Sequence, residues 1–200
     1  MYITLDKIIE KYKKPVFGVI HAGAHYGEEY SNYISNGIYN IHFFEASRRT
    51  FLKLISRIGC SSAYNFALGA GEFIATLHVE SRNEGQSNSL LKPLLHVSQY
   101  PQIVFDETEQ VRVFPLDHFG ITGCNFFNLD VQGFELEVLK GSEKTLLGME
   151  YIYSEINRAE TYEKCAQIGE MDDFLSQRGF HRVETIWAGG IWGDGLWIRK

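Results

Sequence analysis

A short apolar segment that runs into a turn of small residues constrains the fold of this chain more than any other feature. Residues 16–20 are almost continuously apolar, which is typical of a strand buried on both faces of a parallel sheet. The turn HAGAHYG follows at residues 21–27, and Tyr30, Tyr33 and Ile34 then recur with helical spacing. The order of strand, tight turn and helix predicts the first unit of an α/β domain.

The rest of the chain repeats this alternation. Strands are predicted at residues 41–44, 63–68, 73–79, 111–114, 124–129 and 151–156, with a closing antiparallel hairpin at 182–186 and 195–198. Helices are predicted at residues 5–12 with Thr4 as the cap, from Ser47 to Gly59, at 134–147, and around Met171, Phe174 and Leu175. We therefore predict an α/β fold with helices on both faces of a mostly parallel sheet.

The composition is that of a folded domain, because 44% of the 200 residues are hydrophobic. No apolar run approaches the ~20 residues that a membrane helix requires, and the first residues do not resemble a secretory signal, so we expect a cytoplasmic protein. With 19 basic and 25 acidic residues, the net charge is −6, which disfavours a broad nucleic-acid-binding surface. Cys60, Cys124 and Cys165 are widely spaced, which favours reduced, buried thiols.

The turn after the first strand and the end of the second strand together indicate a nucleotide site. Small residues around Gly23 allow a ligand to approach the backbone closely. Glu45 ends the second strand 18 residues after Gly27, where a carboxylate is placed to bind a ribose diol. The pattern predicts a ligand that contains adenosine.

The charge of the turn indicates which adenosine ligand it is. The glycine fingerprint of dinucleotide sites is absent, since His25 and Glu28 occupy its second and third glycine positions. Glu28 and Glu29 in the first turn of the next helix would repel a pyrophosphate, although a solvated helix start is an equally good interpretation of these two residues. S-adenosylmethionine carries no phosphate and avoids this repulsion.

Several motifs then follow one another along the chain. They are IHAGAHYGEE at residues 20–29, FEA at 44–46, NFALG at 65–69, SNSLL at 87–91, LD at 116–117, LDVQGFELEVLKG at 129–141 and GDGL at 193–196. In this order they resemble the FkbM-type S-adenosylmethionine-dependent methyltransferase family. A single motif would be weak evidence, but the series is specific and covers most of the chain from Val19 onward.

The resemblance implies a class I methyltransferase fold, which is a Rossmann-like three-layer sandwich with a mostly parallel seven-stranded sheet and an antiparallel C-terminal strand. The predicted hairpin at 182–186 and 195–198 would supply that antiparallel strand. It also implies S-adenosylmethionine as cofactor, S-adenosylhomocysteine as product, and O-methylation of a sugar, glycan or natural-product acceptor. The cofactor-binding residues that it implies are His21, Ala22, Gly23, Ala24, Gly27, Glu45, Ala46, Asn65, Ala67 and Asp130. Where the family commonly has an acidic residue, this chain has His21.

Transfer of a methyl group to an alcohol is helped by a group that takes the hydroxyl proton. Asp130 is the first candidate for this base, with a cofactor contact as the alternative role. His21 and His25 are further catalytic candidates, although packing within the turn also accounts for them. Asp130, Glu155 and a histidine could together hold a divalent metal, but nothing in their spacing requires one, so we expect no metal.

Residues 1–15 are predicted to form an N-terminal helix that acts as a lid or brace, and residues 16–200 the methyltransferase domain. The polar residues 80–110 are predicted to be an insertion on the acceptor side. Two other functions stay open. One is a non-catalytic adenosyl-binding or interaction module. The other is an RNA ribose methyltransferase, which would need a basic groove that no Lys- or Arg-rich stretch supplies. We expect a small-molecule or carbohydrate partner, no membrane and no nucleic acid, and leave a homo-oligomer open.

Overall fold

The computed structural model describes residue 1, residues 3–59 and residues 62–200. Of the three cysteines, Cys60 lies outside the described residues, whereas Cys124 and Cys165 are buried free thiols, as the sequence predicts. No helix within the described ranges is both long enough and apolar enough to cross a membrane.

Helices and strands alternate along the chain. The helices of the described residues are α1 (Leu5–Tyr12), α2 (Tyr30–Ser35), α3 (Arg48–Ile58), α4 (Leu95–Gln99), α5 (Glu135–Lys140), α6 (Glu143–Leu146) and α7 (Ile168–Ser176), with a 3-10 turn at Leu116–Phe119. The strands are β1 (Gly18–Ala22), β2 (Asn40–Phe44), β3 (Ala63–Tyr64), β4 (Ala67–Leu68), β5 (Phe73–Glu80), β6 (Phe105–Phe114), β7 (Phe126–Leu129), β8 (Tyr151–Asn157), β9 (Phe180–Trp187) and β10 (Trp192–Arg199). The predicted α/β alternation is confirmed.

The larger sheet positions the functional residues. In the described part of the chain its seven strands follow the order β3-β2-β1-β7-β8-β10-β9. Strands β3, β2, β1, β7 and β8 are parallel, while β10 runs antiparallel to both of its neighbours. This confirms the predicted sheet with its antiparallel C-terminal strand. The direction of strand addition reverses between β1 and β7, and open α/β sheets bind ligands at the carboxyl ends of strands beside such a reversal.

Successive residues of the central strands alternate between two hydrophobic cores. Phe126 and Leu196 pack on the face that α1, α2 and α3 cover. Phe127 and Trp197 point to the opposite face, which α5, α6 and α7 cover. Because side chains of a strand alternate between faces, a sheet buried on both sides must be apolar throughout. The predicted three-layer arrangement is therefore present.

A second, smaller sheet corrects the prediction for the middle of the chain. The single strand predicted at 63–68 is two strands, β3 in the larger sheet and β4 in a three-stranded sheet of order β4-β6-β5. The segment 80–110 is also less irregular than predicted, since it contains α4 and the first half of β6. The helix predicted at 134–147 is divided into α5 and α6, which are separated by Gly141 and Ser142.

The N-terminal helix is anchored to the domain at both ends. Leu5 and Ile8 are fully buried, and Lys11 and Tyr12 hydrogen-bond to Glu184 of β9. These contacts hold α1 against the rest of the domain. Thr4 and Ser47 stand at the N-cap positions of α1 and α3, but neither side chain makes a capping hydrogen bond, so the predicted caps are wrong in that detail.

The end of α5 approaches the smaller sheet so closely that we expect alanine at Gly141 to be destabilising. A Cβ atom there would lie 2.0 Å from the carbonyl oxygen of Gly69. Relief requires movement of the backbone, so Gly141→Ala should lower the free energy of unfolding by about 1–3 kcal/mol. Gly169→Ala in α7, where a Cβ atom meets nothing within 4 Å, should leave it unchanged or raise it by up to about 1 kcal/mol. Urea unfolding followed by circular dichroism measures both, and equal stability of the two variants would contradict this contact.

Candidate active site

Backbone hydrogen bonds join three strand ends where β1 leaves the larger sheet. The N–H groups of Gly23 and Ala24 each donate to the carbonyl oxygen of Phe44 at 3.0 Å, and the N–H of Asp130 donates to that of Ala22 at 3.0 Å. Gly23 has φ +74°, and a Cβ atom there would lie 1.6 Å from the carbonyl oxygen of Asp130. Only glycine fits this position. The turns after β1 and β7 therefore touch through their backbones.

Two adjoining cavities open above these strand ends. The narrow cavity has a volume of about 60 Å³ and lies over β1, β2 and β4. The wide cavity has a volume of about 570 Å³ and extends toward α4, β8 and β10. Residues that line both cavities are Gly23, His25, Gln86, Asp130 and Gln132. The cavities therefore meet over Gly23 and Asp130, which sequence analysis places in one site.

Glu45 directly follows β2 and is 8% exposed. One carboxylate oxygen accepts the N–H of Ser47 at 2.9 Å, and the other accepts the N–H of His25 at 3.0 Å. Burial raises the pKa of Glu45 to about 7, although these hydrogen bonds act in the opposite direction. Each oxygen has two lone-pair sites and uses one of them on the backbone. Glu45 can therefore accept two further hydrogen bonds, which is the number that a ribose diol donates.

The His25 ring joins the turn after β1 to the loop that follows β5. Its Nδ1 atom lies 2.9 Å from a carboxylate oxygen of Glu28, and its Nε2 atom lies 3.0 Å from the carbonyl oxygen of Glu84. Both partners accept hydrogen bonds, so the ring satisfies both only when each nitrogen carries a proton. Burial lowers the pKa of His25, but the hydrogen bonds to Glu28 and Glu84 outweigh it and raise the pKa above its ordinary value. The ring therefore links the turn after β1 to the loop after β5, beside both cavities.

His21 is buried at the end of β1, where it lines the wide cavity. Its Nε2 atom lies 3.2 Å from the amide nitrogen of Asn128, and its Nδ1 atom lies 3.3 Å from the hydroxyl of Tyr33. Asn128 donates, so Nε2 is the unprotonated nitrogen of a neutral ring. Burial lowers the pKa of His21 and keeps the ring neutral. Both nitrogens are occupied, which favours a packing role over proton transfer.

Asp130 and Glu155 form a carboxyl pair that Gln132 holds together. The Nε2 atom of Gln132 donates to Asp130 Oδ1 and to Glu155 Oε2, both at 2.7 Å. Its Oε1 atom accepts the hydroxyl proton of Tyr162 at 2.7 Å, which fixes the orientation of the amide. Asp130 is open to the cavity, whereas Glu155 is buried. Withdrawal from bulk water, together with nearby carboxylates, raises the pKa of both carboxyls. The pair can therefore retain a proton at a pH where ordinary carboxyls have lost theirs.

The remaining predicted cofactor residues divide into two groups. Those that line a cavity are Ala22, Ala46 and Ala67 in the narrow one and Ala24 in the wide one. Asn65 and Gly27 are not among the lining residues of either. The Asn65 amide donates to the carbonyl oxygens of Glu45 and Ala46, both at 2.9 Å, and a Cβ atom on Gly27 would lie 2.8 Å from Leu54. Asn65 and Gly27 therefore stabilise the residues that line the cavities without lining a cavity themselves.

Sequence reasoning missed several residues of the wide cavity. These are Gln132, which lies inside a quoted motif, and His96, Tyr100, Tyr153 and Asp194. His96 and Tyr100 follow the apolar patch at residues 90–95, which was the available signal that this segment packs onto the domain. Among the described residues, no group of three or more His, Cys, Asp or Glu side chains is arranged to hold a metal ion.

Comparison with known proteins matches this chain to methyltransferases. A 2-O-methyltransferase, NoeI, from Sinorhizobium fredii is 33% identical over 81 residues, which are 38% of this chain and 33% of that protein. The crystal structure of a methyltransferase FkbM from Methylobacillus flagellatus KT superimposes with a TM-score of 0.59 and 14% identity over 91% of this chain and 43% of its own. This chain thus spans less than half the length of either protein.

The family model for the methyltransferase FkbM domain matches residues 21–182, which is most of the chain. The matched range runs from the end of β1, through both turns that meet at Gly23 and Asp130, to the start of β9. Fold, site and sequence therefore agree, and the chain belongs to the FkbM methyltransferase family.

Proposed function

We propose that the chain is an S-adenosylmethionine-dependent O-methyltransferase that acts on a hydroxyl of a sugar, glycan or natural product. The observation that carries this proposal is the junction of the two cavities at Gly23 and Asp130. This junction connects the narrow cavity, which is the proposed nucleoside site, to the wide cavity. The similarity to a protein named as a 2-O-methyltransferase supports oxygen as the methylated atom. When bound, the cofactor supplies an electrophilic methyl group on a sulfonium.

The residues of the narrow cavity supply contacts for an adenosyl group, which would extend beyond its volume of about 60 Å³ into the adjoining wide cavity. Glu45 has two acceptor sites left for the ribose hydroxyls. Phe66, Leu68 and Phe134 supply apolar walls for a planar base. Gly23 exposes backbone where a Cβ atom would block the approach. These residues would hold the nucleoside with its methyl-bearing end toward the wide cavity.

The charge of both cavities supports a cofactor without phosphate. No Lys or Arg side chain belongs to the lining of either cavity in the described ranges. Glu28 and Glu29 line the wide cavity at the start of α2, where a pyrophosphate of a dinucleotide would have to lie. The carboxylates of Glu28 and Glu29 would attract a sulfonium cation in the same place.

Asp130 is proposed as the general base. Its carboxylate faces the wide cavity, and Gln132 fixes Oδ1. Asp130 would take the proton of the acceptor hydroxyl, which would make that oxygen the nucleophile for the methyl group that the bound cofactor supplies. Asp194 is proposed as a positioning residue, because burial and the nearby Asp194 carboxylate both raise the pKa of the base.

We expect binding of S-adenosylhomocysteine to depend on the ionised form of Glu45. The ribose hydroxyls donate protons, so they bind the carboxylate in preference to the carboxylic acid. The pKa of Glu45 is about 7 before the ligand binds, so the affinity should be present above that pH and fall about tenfold between pH 8 and pH 6. Isothermal titration calorimetry measures the affinity and the protons released on binding.

Glu45→Gln is the matched control for this dependence. It keeps the side-chain size but cannot ionise, so we expect affinity lowered about 10–100-fold and no change with pH across this range. NADH serves as the control ligand and should not bind. Unchanged affinity in Glu45→Gln would contradict the ribose contact. Binding without turnover on any acceptor would favour the non-catalytic adenosyl-binding module.

Asp130→Asn is expected to lower kcat by about 10²–10⁴-fold, because asparagine cannot take the hydroxyl proton. The affinity for S-adenosylhomocysteine should stay within about threefold, since Glu45 carries the ribose contact. In the wild-type enzyme, kcat should rise with pH through the raised pKa of the carboxyl pair. Asp194→Asn should shift that rise to lower pH, because the Asp194 carboxylate raises the pKa of Asp130, and a purely structural role would not produce this effect. Transfer of a tritium-labelled methyl group to a panel of hydroxylated acceptors measures turnover, and calorimetry measures the affinity. Full turnover by Asp130→Asn would exclude it as the base.

A further inference from the structure

The wide cavity is lined by groups that accept hydrogen bonds. Its carboxyl side chains are those of Glu28, Glu29, Asp130, Glu155 and Asp194. Lys and Arg are absent from its lining among the described residues. Ionised carboxylates offer lone pairs and no protons, so they complement a ligand that is rich in O–H or N–H donors.

Positive groups at the edge of the cavity are already paired with its acids. The amino group of Met1 lies 3.3 Å from Glu29, and the ring of His25 lies 2.9 Å from Glu28. Burial opposes ionisation of Glu28, but the hydrogen bond to His25 outweighs it and lowers the pKa of this carboxyl. The two acids are therefore ionised at neutral pH, and their partners are occupied.

A second feature of the cavity points to a ligand hydroxyl. His96 lines the cavity, is 5% exposed, and has no hydrogen-bond partner at Nδ1 in the part of the chain that the structure describes. Its Nε2 atom lies 3.1 Å from Ser87 Oγ. A buried polar atom without a partner is costly, and a hydroxyl relieves the cost in either tautomer because it both donates and accepts. His96 Nδ1 is therefore an unused hydrogen-bonding atom in the wall of the cavity.

Arg158, a basic residue shortly after Glu155 in sequence, does not line the wide cavity. Arg158 comes directly after β8, and its guanidinium carbon lies 3.6 Å from the centre of the Trp187 ring. An anionic group on the acceptor would therefore meet carboxylates and no Lys or Arg side chain in the described lining.

We propose that the acceptor is a polyhydroxylated or amine-bearing compound that carries no phosphate, sulfate or carboxylate group. This inference rests on the proposed function and adds the charge and hydrogen-bonding class of its acceptor. Several carboxylates in one cleft raise the local concentration of cations and lower that of anions. The indole of Trp192, whose Nε1 atom donates to the hydroxyl of Tyr100 at 2.8 Å, gives a sugar ring an aromatic surface on which to pack.

The charge of the cavity can be measured without a known acceptor. Cationic aminomethyl-proxyl and anionic carboxy-proxyl are added separately to isotope-labelled protein at low ionic strength, and the paramagnetic relaxation of amide protons is compared. At Asn83 and Thr161, which line the cavity, we expect relaxation about tenfold stronger with the cationic probe. Exposed Gly37 should respond equally to both probes. Asp194→Asn should lower the ratio at Thr161 only. A ratio of one, or one in favour of the anionic probe, overturns the proposal.

The acceptor class is tested with three methyl glycosides that differ in one charged group: the neutral glucoside, the amine-bearing glucosaminide and the anionic glucuronide. We expect kcat/KM for the glucuronide to be about tenfold or more below that of the others. His96→Phe should lower kcat/KM for the neutral glucoside about tenfold without changing the affinity for S-adenosylhomocysteine. Equal transfer to the glucuronide overturns the proposal. Failure of all three glycosides counts against methylation of such sugars, and the relaxation ratio still decides the charge of the cavity.

Discussion

The contact between Gly23 and the carbonyl of Asp130 is the constraint on which the rest of the site depends. Only the absence of a Cβ atom lets the turn after β1 lie against the turn after β7. The N–H of Asp130 bonds to Ala22, and that of Gly23 bonds to Phe44, so three neighbouring strand ends are fixed relative to one another. Glu45 and Asp130 each adjoin one of these strand ends. Their separation is therefore set by the backbone and not by flexible side chains.

Buried carboxylates then fix the loops around that contact. Glu45, Glu80 and Glu135 are buried and each accept backbone N–H groups, most of them from residues close in sequence. The donors are Ser47 and His25 for the first, Arg82, Asn83 and Gly85 for the second, and Val131 and Gly133 for the third. A charged acceptor makes such hydrogen bonds strong, and a loop held this way needs no regular structure. The site is thereby preorganised by loops that have little periodic pattern.

The sequence was informative where structure follows from local pattern. The parallel strands were predictable because residues buried on both faces form continuous apolar runs, and the hairpin because its strands are close in sequence. The smaller sheet was not, since β3 and β4 are separated only by Asn65 and Phe66, across which the chain passes from one sheet to the other. The roles of Thr4 and Ser47 also depend on side-chain geometry, and the Ser47 N–H serves Glu45 instead. Gln132 was overlooked because its function lies in contacts with residues from distant parts of the chain.

The two halves of the proposed site, one for the nucleoside and one for the acceptor, differ in how they are encoded. The nucleoside half follows β1 and β2 in sequence, so the Gly23 turn and Glu45 could be recognised from spacing alone. The acceptor half combines His96, Glu155 and Asp194 from elements that meet only after folding. Within this half, His21 stands where an acidic residue is common in the family, and its ring is neutral and engaged by Asn128 and Tyr33. The negative charge of the wide cavity therefore comes from the start of α2, the turn after β7, β8 and β10. The proposed selectivity for acceptor charge is consequently a property of tertiary structure, which the order of motifs along the chain does not contain.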